Sequence, residues 1–292
     1  MAKSQNNLAY FFLAPAVLVM LVSAIIPLMV VINYSVQDSF AGGKFVWVGA
    51  RWFEQVLSSS DFQGALARSF GFSILVLLIE VPLGIFIALR LPVKGFLSNV
   101  YIVLMAIPLL TPWLVVGYIW KVLVLPHAGL LGAGAAALGL TYDMNNPVIV
   151  WLTLVLMDTW HWTSLIVLLC FAGLRAIPNA YYQAAQIDGA SDWSVFKFVQ
   201  LPKLRLVLLI AILLRFMDSF MIYTETYVVT RGGPEVSTTF LSHELVQTAT
   251  IQFDLGEGGA ISIIYLLIIL CISWAFFSLI VPRRSDDIRG VN

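Results

Sequence analysis

Tyr181-Tyr182-Gln183-Ala184-Ala185-Gln186-Ile187-Asp188-Gly189-Ala190 runs on through Ser191 to Phe198 and closes on Val199-Gln200-Leu201-Pro202. It is the longest mixed polar stretch in the C-terminal half, and strongly apolar segments flank it on both sides. Gln183, Ala184 and Ala185 are good helix formers. Gly189 tolerates the φ values of a sharp turn. A second amphipathic run, Trp193 to Phe198, meets Leu201-Pro202, and a proline there is expected to stop the helix. The reading is two short helices hinged at Gly189. Such an element between two apolar spans offers a soluble partner a surface to grip.

Outward from that stretch the chain is overwhelmingly apolar. Of its 292 residues 60% are hydrophobic and 11% charged, with a mean hydropathy of +0.93. Soluble domains carry roughly 25% charged residues, so a shortfall spread along the whole chain indicates a polytopic membrane protein. The net charge of zero gives no electrostatic footprint for nucleic acid. Cys170 and Cys271 both sit in apolar runs and read as small buried hydrophobes. Two thiols make no disulfide or metal framework, and His127, His161 and His243 lie in separate segments without metal-ligand spacing; His127 and His243 fall in outside loops and read as solvated.

The spans follow from run length. Leu8 to Val31 is an apolar run of 24 residues, enough at about 1.5 Å per residue to cross a ~30 Å hydrocarbon core. Val36 to Arg68 is mixed and aromatic, and reads as a folded extramembrane loop with an amphipathic helix near Trp52–Leu57. Span 2 is expected at about 69–89, closed by Arg90 and the Leu91-Pro92-Val93-Lys94-Gly95 turn. Span 3, about 100–124, contains Pro108 and Pro112 and is expected to bend. A Gly- and Ala-rich loop with short helices follows to Pro147, carrying His127 and Asp143. Spans 4, 5 and 6 are placed at about 148–174, 204–229 and 259–281. A polar loop, 230–258, begins Thr230-Arg231-Gly232-Gly233-Pro234, and a charged tail runs from Arg283. The fold class is all-α integral membrane, one six-span domain over 1–292, with the loop at about 178–202 between spans 4 and 5.

Orientation follows from Lys and Arg. With the N-terminus inside, ten fall in inside segments and five outside, Arg215 lying within span 5. Both termini and the hinged loop are then cytoplasmic.

The loop resembles the EAA signature of bacterial binding-protein-dependent ABC importer permeases: Glu-Ala-Ala, three residues, Gly, nine residues, Ile, any residue, Leu-Pro. Here Gln183-Ala184-Ala185, Gly189 and Val199-Gln200-Leu201-Pro202 keep that spacing. Asp188-Gly189-Ala190 and the Thr230 to Pro234 stretch are similar to the carbohydrate-uptake branch, in its maltose or glycerol-phosphate first-permease type. The resemblance covers essentially the whole chain. Two positions depart from the pattern, Gln183 for Glu and Val199 for Ile. The first removes a possible salt bridge but keeps helix propensity.

The resemblance implies a type I importer transmembrane domain in the bacterial inner membrane, lying in membrane lipid. It implies three protein partners: a second permease in a heterodimer, a cytoplasmic ATPase dimer, and a periplasmic or lipid-anchored substrate-binding protein. ATP and Mg²⁺ belong to the ATPase; this chain is expected to bind no cofactor or metal and to have no catalytic residue. It contains no Gly-x-x-x-x-Gly-Lys-Ser/Thr phosphate loop, since Gly43-Lys44 lacks both the upstream spacing and the hydroxyl residue. Tyr182, Gln183, Ala184, Ala185, Asp188, Gly189, Ala190 and Phe196 are the residues implied to dock the ATPase. Asp188 is equally readable as the cap of the second helix.

Ionisable groups inside spans are costly and face a bundle interior or a wet cavity. Glu80, beside Pro82, reads as structural. Asp158, Trp160, His161, Asp218, Tyr223 and Glu225 are candidates for the substrate path, because carboxylates accept hydroxyls and rings stack on sugar faces. The alternative for the charged ones is an internal network, Arg215 pairing with Asp218 or Asp158. Trp113, Trp120, Trp151 and Trp274 read as belt or packing residues. Four carboxylates against one guanidinium favour a neutral polyhydroxylated substrate, a sugar or glycerol-like polyol, over glycerol phosphate. Two other classes stand beside the importer. An ion-coupled secondary transporter would use the carboxylates to carry protons or sodium, and a membrane enzyme would use His161 and Asp158 as an acid–base pair. Dependence on ATP and a co-purifying ATPase separates the importer from both.

Overall fold

Backbone in hydrocarbon must satisfy its own hydrogen bonds, so long apolar runs become helices. The computed structural model describes residues 2–40 and 44–280; the charged tail from Arg283 lies outside them. The elements are α1 (Ala2–Ser35), β1 (Gln37–Phe40), β2 (Lys44–Trp47), α2 (Arg51–Ser58), α3 (Ser60–Arg90), α4 (Phe96–Leu110), α5 (Trp113–Leu123), α6 (Leu130–Ala137), α7 (Pro147–Arg175), α8 (Asn179–Ile187), α9 (Asp192–Val195), α10 (Leu201–Phe220), α11 (Thr224–Thr230), α12 (Leu241–Val246) and α13 (Leu255–Ile280). Within these, α1, α3, α7 and α13 are each long and apolar enough to cross a membrane, and the pairs α4–α5 and Asp192–Phe220 with α11 make two broken spans.

The described residues form two contact groups, those up to 63 with 244–269 and 64–243 with 270–280. In the first, β1 and β2 pair antiparallel, Gln37 opposite Trp47. The expected amphipathic helix is α2, which buries Trp52 and Val56. Trp52 Nε1 donates to the Gln37 carbonyl at 3.0 Å. The hairpin was not anticipated. Nor does the loop reach Arg68: Ser60 to Arg68 already belong to α3, nine residues before the expected span. Their small and apolar residues, among them buried Phe62 and Ala65, give the helix an inward face.

In the second group α7 is the buried axis. Asn146 caps it by accepting from the Val148 N–H at 2.9 Å, with Pro147 in its first turn. Fourteen of its residues are buried, from Val150 to Phe171. Toward one end, Phe72, Val116, Trp120, Leu154 and Phe240 make a shared core; toward the other, Ala88, Ile166, Val167, Phe171, Leu204 and Leu208 do so. At the first end, Arg68 Nε donates to the Thr239 carbonyl at 2.7 Å, and Trp151 Nε1 donates to that of Ser237 at 2.9 Å. Segment 230–258, expected as a polar loop, is therefore partly helical and packed: α12 and a π-helical turn at Gln247–Ile251 precede α13, which starts at Leu255.

Three span expectations need correction. Span 3 is not a bent rod but a broken one, turning 91° between α4 and α5 where Thr111 and Pro112 leave the helix. Span 5 also breaks, by 44°, before α11. Pro202 does not end a helix. Helical structure runs continuously from Asp192 to Phe220 through a π-helical turn at Phe196–Gln200, in which the Leu201 N–H reaches the Phe196 carbonyl. That wider turn removes the conflict between a proline ring and the regular ladder. Cys170 is buried as expected, whereas Cys271 faces outward on α13.

Helix α3 approaches α7 through Gly84. A Cβ there would stand 2.6 Å from Ile166 Cγ2 and 2.8 Å from its Cβ. Overpacking of this kind costs about 1–3 kcal/mol. Gly84→Val is expected to lower the unfolding midpoint of the detergent-solubilised protein, measured by tryptophan fluorescence; an unchanged midpoint would show that α3 and α7 separate freely.

Candidate functional site

Three helices meet at one guanidinium. Arg215, in the second turn from the end of α10, is fully buried. Its Nε donates to Glu80 Oε2 of α3 at 2.7 Å and its Nη2 to Glu80 Oε1 at 3.1 Å, a two-pronged contact. Nη2 also donates to Asp158 Oδ2 of α7 at 2.6 Å, and Nη1 to Asp218 Oδ2, one turn on, at 2.7 Å. The Trp162 ring lies against the guanidinium, 4.8 Å from its carbon to the ring centroid. Arg215 was expected to pair with Asp218 or Asp158; it holds both, and Glu80 as well. Its five N–H donors form a rigid fork that a lysine cannot reproduce. Asp158 Oδ1, both ring nitrogens of His161 and Trp162 Nε1 are buried beside this network without a hydrogen-bond partner among the described residues.

The path candidates thus divide. Asp158, His161 and Glu225 are buried within the chain, whereas Trp160 is 41% exposed and the Asp218 side chain 33%. Tyr223, half-buried, precedes α11 and stacks on Tyr227 at a centroid distance of 5.3 Å. Trp160 meets Trp120 of α5 at 6.5 Å. Tyr227 and Trp120 were not singled out for the path in the sequence, although the i, i+4 spacing of Tyr223 and Tyr227 in a helix would have drawn attention to the first.

His243 was read as solvated. It is 4% exposed, set edge-on to Tyr223 at 5.0 Å and near Tyr227 and Phe240. Its Nε2 lies 3.4 Å from Thr226 Oγ1. Loss of hydration pushes its pKa down from 6.5 to about 4. His127 is exposed, as read.

The hinged loop has the geometry its residues dictate. Helix α8 ends in a Schellman closure: Ala190 N–H donates to the Ala185 carbonyl at 2.9 Å, and Gly189 N–H to that of Gln186 at 3.2 Å. Gly189 has φ +66°, where glycine has no Cβ to strain. Asp188 does not cap the second helix. Ser191 does, accepting from the Ser194 N–H at 3.3 Å. Asp188 precedes the turn and its carboxylate is exposed. Gln183, Ala184, Gly189 and Ala190 are exposed too, Tyr182 and Phe196 half-buried, and Ala185 buried. A groove of about 880 Å³ separates the loop from the end of α3, between Phe86 and Arg90 on one side and Tyr182, Trp193 and Phe196 on the other.

A protein-family model, described as "Binding-protein-dependent transport system inner membrane component", matches residues 80–286. The chain belongs to this family. The matched range holds the Arg215 network, both broken spans and the hinged loop. The permease is 32% identical, over 97% of its length and 96% of the relative's, to the trehalose/maltose transport system permease protein MalF of Thermococcus litoralis. It is 30% identical to the arabinooligosaccharides transport system permease protein AraP of Bacillus subtilis, covering 98% and 91%. In fold it is similar to a chain of a bacterial ABC transporter involved in the import of alginate, at TM-score 0.81 and 19% identity over 94% and 96%.

Two expectations follow for the permease. Removing one partner from a buried ion network leaves uncompensated charge and costs about 3–5 kcal/mol. Arg215→Met is therefore expected to destabilise strongly. Combining it with Glu80→Gln and Asp158→Asn is expected to restore most of the loss, both read as unfolding midpoints in mixed micelles. His243 acts through the unfolded state: with a folded pKa near 4, its contribution is complete above about pH 6.5 and lost as pH falls toward 4. A His243→Phe variant should lose less thermal stability between pH 7 and 5 than the parent, in parallel melts.

Proposed function

We propose that this permease forms half of the translocation path of an ATP-driven, binding-protein-dependent importer for a neutral sugar or polyol. The loop Asn179 to Gln200 is the lever through which a cytoplasmic ATPase dimer moves it, with Gln183, Ala184, Asp188, Gly189 and Ala190 as the exposed docking face. A second permease supplies the other half of the path, and a substrate-binding protein loads it from outside. ATP and Mg²⁺ act on the ATPase.

The observation that carries the substrate class is the state of Arg215. Among the described residues it is the only buried Lys or Arg, and three carboxylates occupy it. A phosphorylated substrate would find no free buried cation in this half of the path. What faces outward instead is Trp160, Tyr223, Tyr227 and one oxygen-rich arm, Asp218, a pairing suited to the apolar faces and hydroxyls of a saccharide. The trehalose/maltose and arabinooligosaccharide relatives agree with that chemistry. The lever is supported by its placement: α7 leads into it and α10 leads out, and the buried Asp158–Arg215 contact ties the same two helices together.

The experiment is uptake by vesicles holding the complete complex, with labelled trehalose, maltose and glycerol phosphate offered in turn. ATP-dependent uptake of a neutral saccharide is expected, reduced at least tenfold by Tyr223→Ala. Gly189→Trp should leave the complex assembled yet uncouple ATP hydrolysis from uptake. Preference for glycerol phosphate would refute the substrate class. Uptake driven by an ion gradient without ATP would refute the importer reading itself.

A further inference from the structure

The membrane ends of α3 and α7 enclose a cleft of about 500 Å³ beside the lever. Its walls are mostly apolar, from Leu89, Leu91, Phe171 and Leu174, with Asn179 and Gln200 also lining it, and Tyr182 of α8 closes one side. Its two charged lining residues are both cations, Lys94 in the turn after α3 and Arg175 at the last position of α7. Both are exposed. Neither is reached by an ion pair among the described residues. Arg90, one turn before Lys94, is likewise exposed and lies over the Phe86 ring, at 4.6 Å. The turn between them and the start of α4 presents Val93, Phe96 and Leu97, each more than half exposed. An apolar channel that opens at the end of two membrane helices, with cations at its mouth and bare hydrophobic side chains around it, has the two-part chemistry of a phospholipid.

We propose that this cleft holds an anionic phospholipid, with its phosphate between Lys94 and Arg175 and an acyl chain along Leu89, Leu91 and Phe171. Charge complementarity selects the occupant. A zwitterionic lipid brings a positive group to a mouth that already has two, whereas phosphatidylglycerol brings net negative charge. Lys94 and Arg175 extend their alkyl stems along the cleft wall while keeping their charge at the headgroup level. The bound lipid then lies against Tyr182, so that the lever rests partly on the membrane. The site is independent of which sugar is carried, and its test reads lipid, not transport.

The test uses the intact permease complex, purified from vesicles holding phosphatidylglycerol and phosphatidylcholine in equal amounts, with retained lipid counted by native mass spectrometry. At least one phosphatidylglycerol is expected to persist where phosphatidylcholine does not. Each cation near an anionic surface contributes about fivefold in affinity, so Lys94→Gln and Arg175→Gln should each weaken retention about fivefold. Lys121→Gln, on α5, serves as the control and should leave it unchanged. In a second measurement, acetylation of Lys94 should be slower in phosphatidylglycerol nanodiscs than in phosphatidylcholine nanodiscs. Equal retention of the two lipids would overturn the proposal. So would retention unaltered in both variants, or protection of Lys94 that depends on the ATPase subunits and not on the lipid.

Discussion

The bundle around α7 depends on how one buried guanidinium is satisfied. Arg215 belongs to a sequence segment that from Leu206 to Met217 is otherwise wholly apolar, and moving such a charge out of water carries a large desolvation cost. The chain offsets it with three carboxylates from two further helices and from the next turn of its own. The arrangement is specific because a guanidinium fork accepts partners only in its own plane. Glu80 takes one edge, Asp158 shares a nitrogen with it, and Asp218 takes the remaining one. Rotation of α3, α7 or α10 by one residue would strand a buried charge. A purely hydrophobic seam among Leu and Ile side chains would tolerate such a slip far better. The network therefore fixes register, and its contribution to stability is secondary to that.

The register matters because of what lies at the other ends of the same helices. Helix α7 enters the Schellman turn through α8, and α10 leaves it through the π-helical turn. In the proposed coupling role, a force applied to the exposed face of the turn would reach α7 and α10 together, since the Arg215–Asp158 contact ties the two helices. The π-helical turn belongs to this design. It lets Leu201-Pro202 sit inside a continuous helix, so α10 runs into the hinged loop without a break at the proline. On the α8 side the chain leaves the helix at 176–178, before α8, and turns again at Gly189.

Much of this was legible in the sequence, and the failures have identifiable causes. Run length gave the apolar spans because the hydrocarbon core imposes it. Gly189 gave the hinge because few other residues adopt its φ. Arg215 announced a buried ion network because a charge in such a segment must be paired. Local patterns could not reveal which helix supplied the third carboxylate: Glu80 is 135 positions away. They also misjudged Pro202, since a proline's effect depends on whether the preceding turn widens. His243 looked solvated because it sits in a polar stretch, yet Tyr223, Tyr227 and Phe240 enclose it. Asp188 was readable as a cap because a carboxylate stands ahead of the second helix, but the capping position belongs to the residue in extended backbone, Ser191. The hairpin after α1 has too few residues for any periodicity to register.

The two broken spans complete the argument. Backbone that leaves the helix inside a membrane must find other partners or water. Here Thr111 satisfies the Ile107 carbonyl with its own hydroxyl, and Tyr223 is reached by Thr226 and Tyr227 through its carbonyl. Helix α5 packs along α11, so the second half of each broken span supports the other. Both breaks lie on segments that touch the neighbourhood of α7: Trp120 of α5 meets Trp160, and Arg215 and Asp218 lie in the last turns of α10 before the second break. Unbroken spans would carry Trp160, Asp218 and Tyr223 along parallel rods, each facing whatever its rod faced. Breaking two of them turns short helices across the bundle and gathers aromatic rings and a carboxylate beside a rigid charge network. An arrangement of this kind is held by the anchored Arg215, while its outer surface is set by α5 and α11, which contribute no member of the Arg215 network.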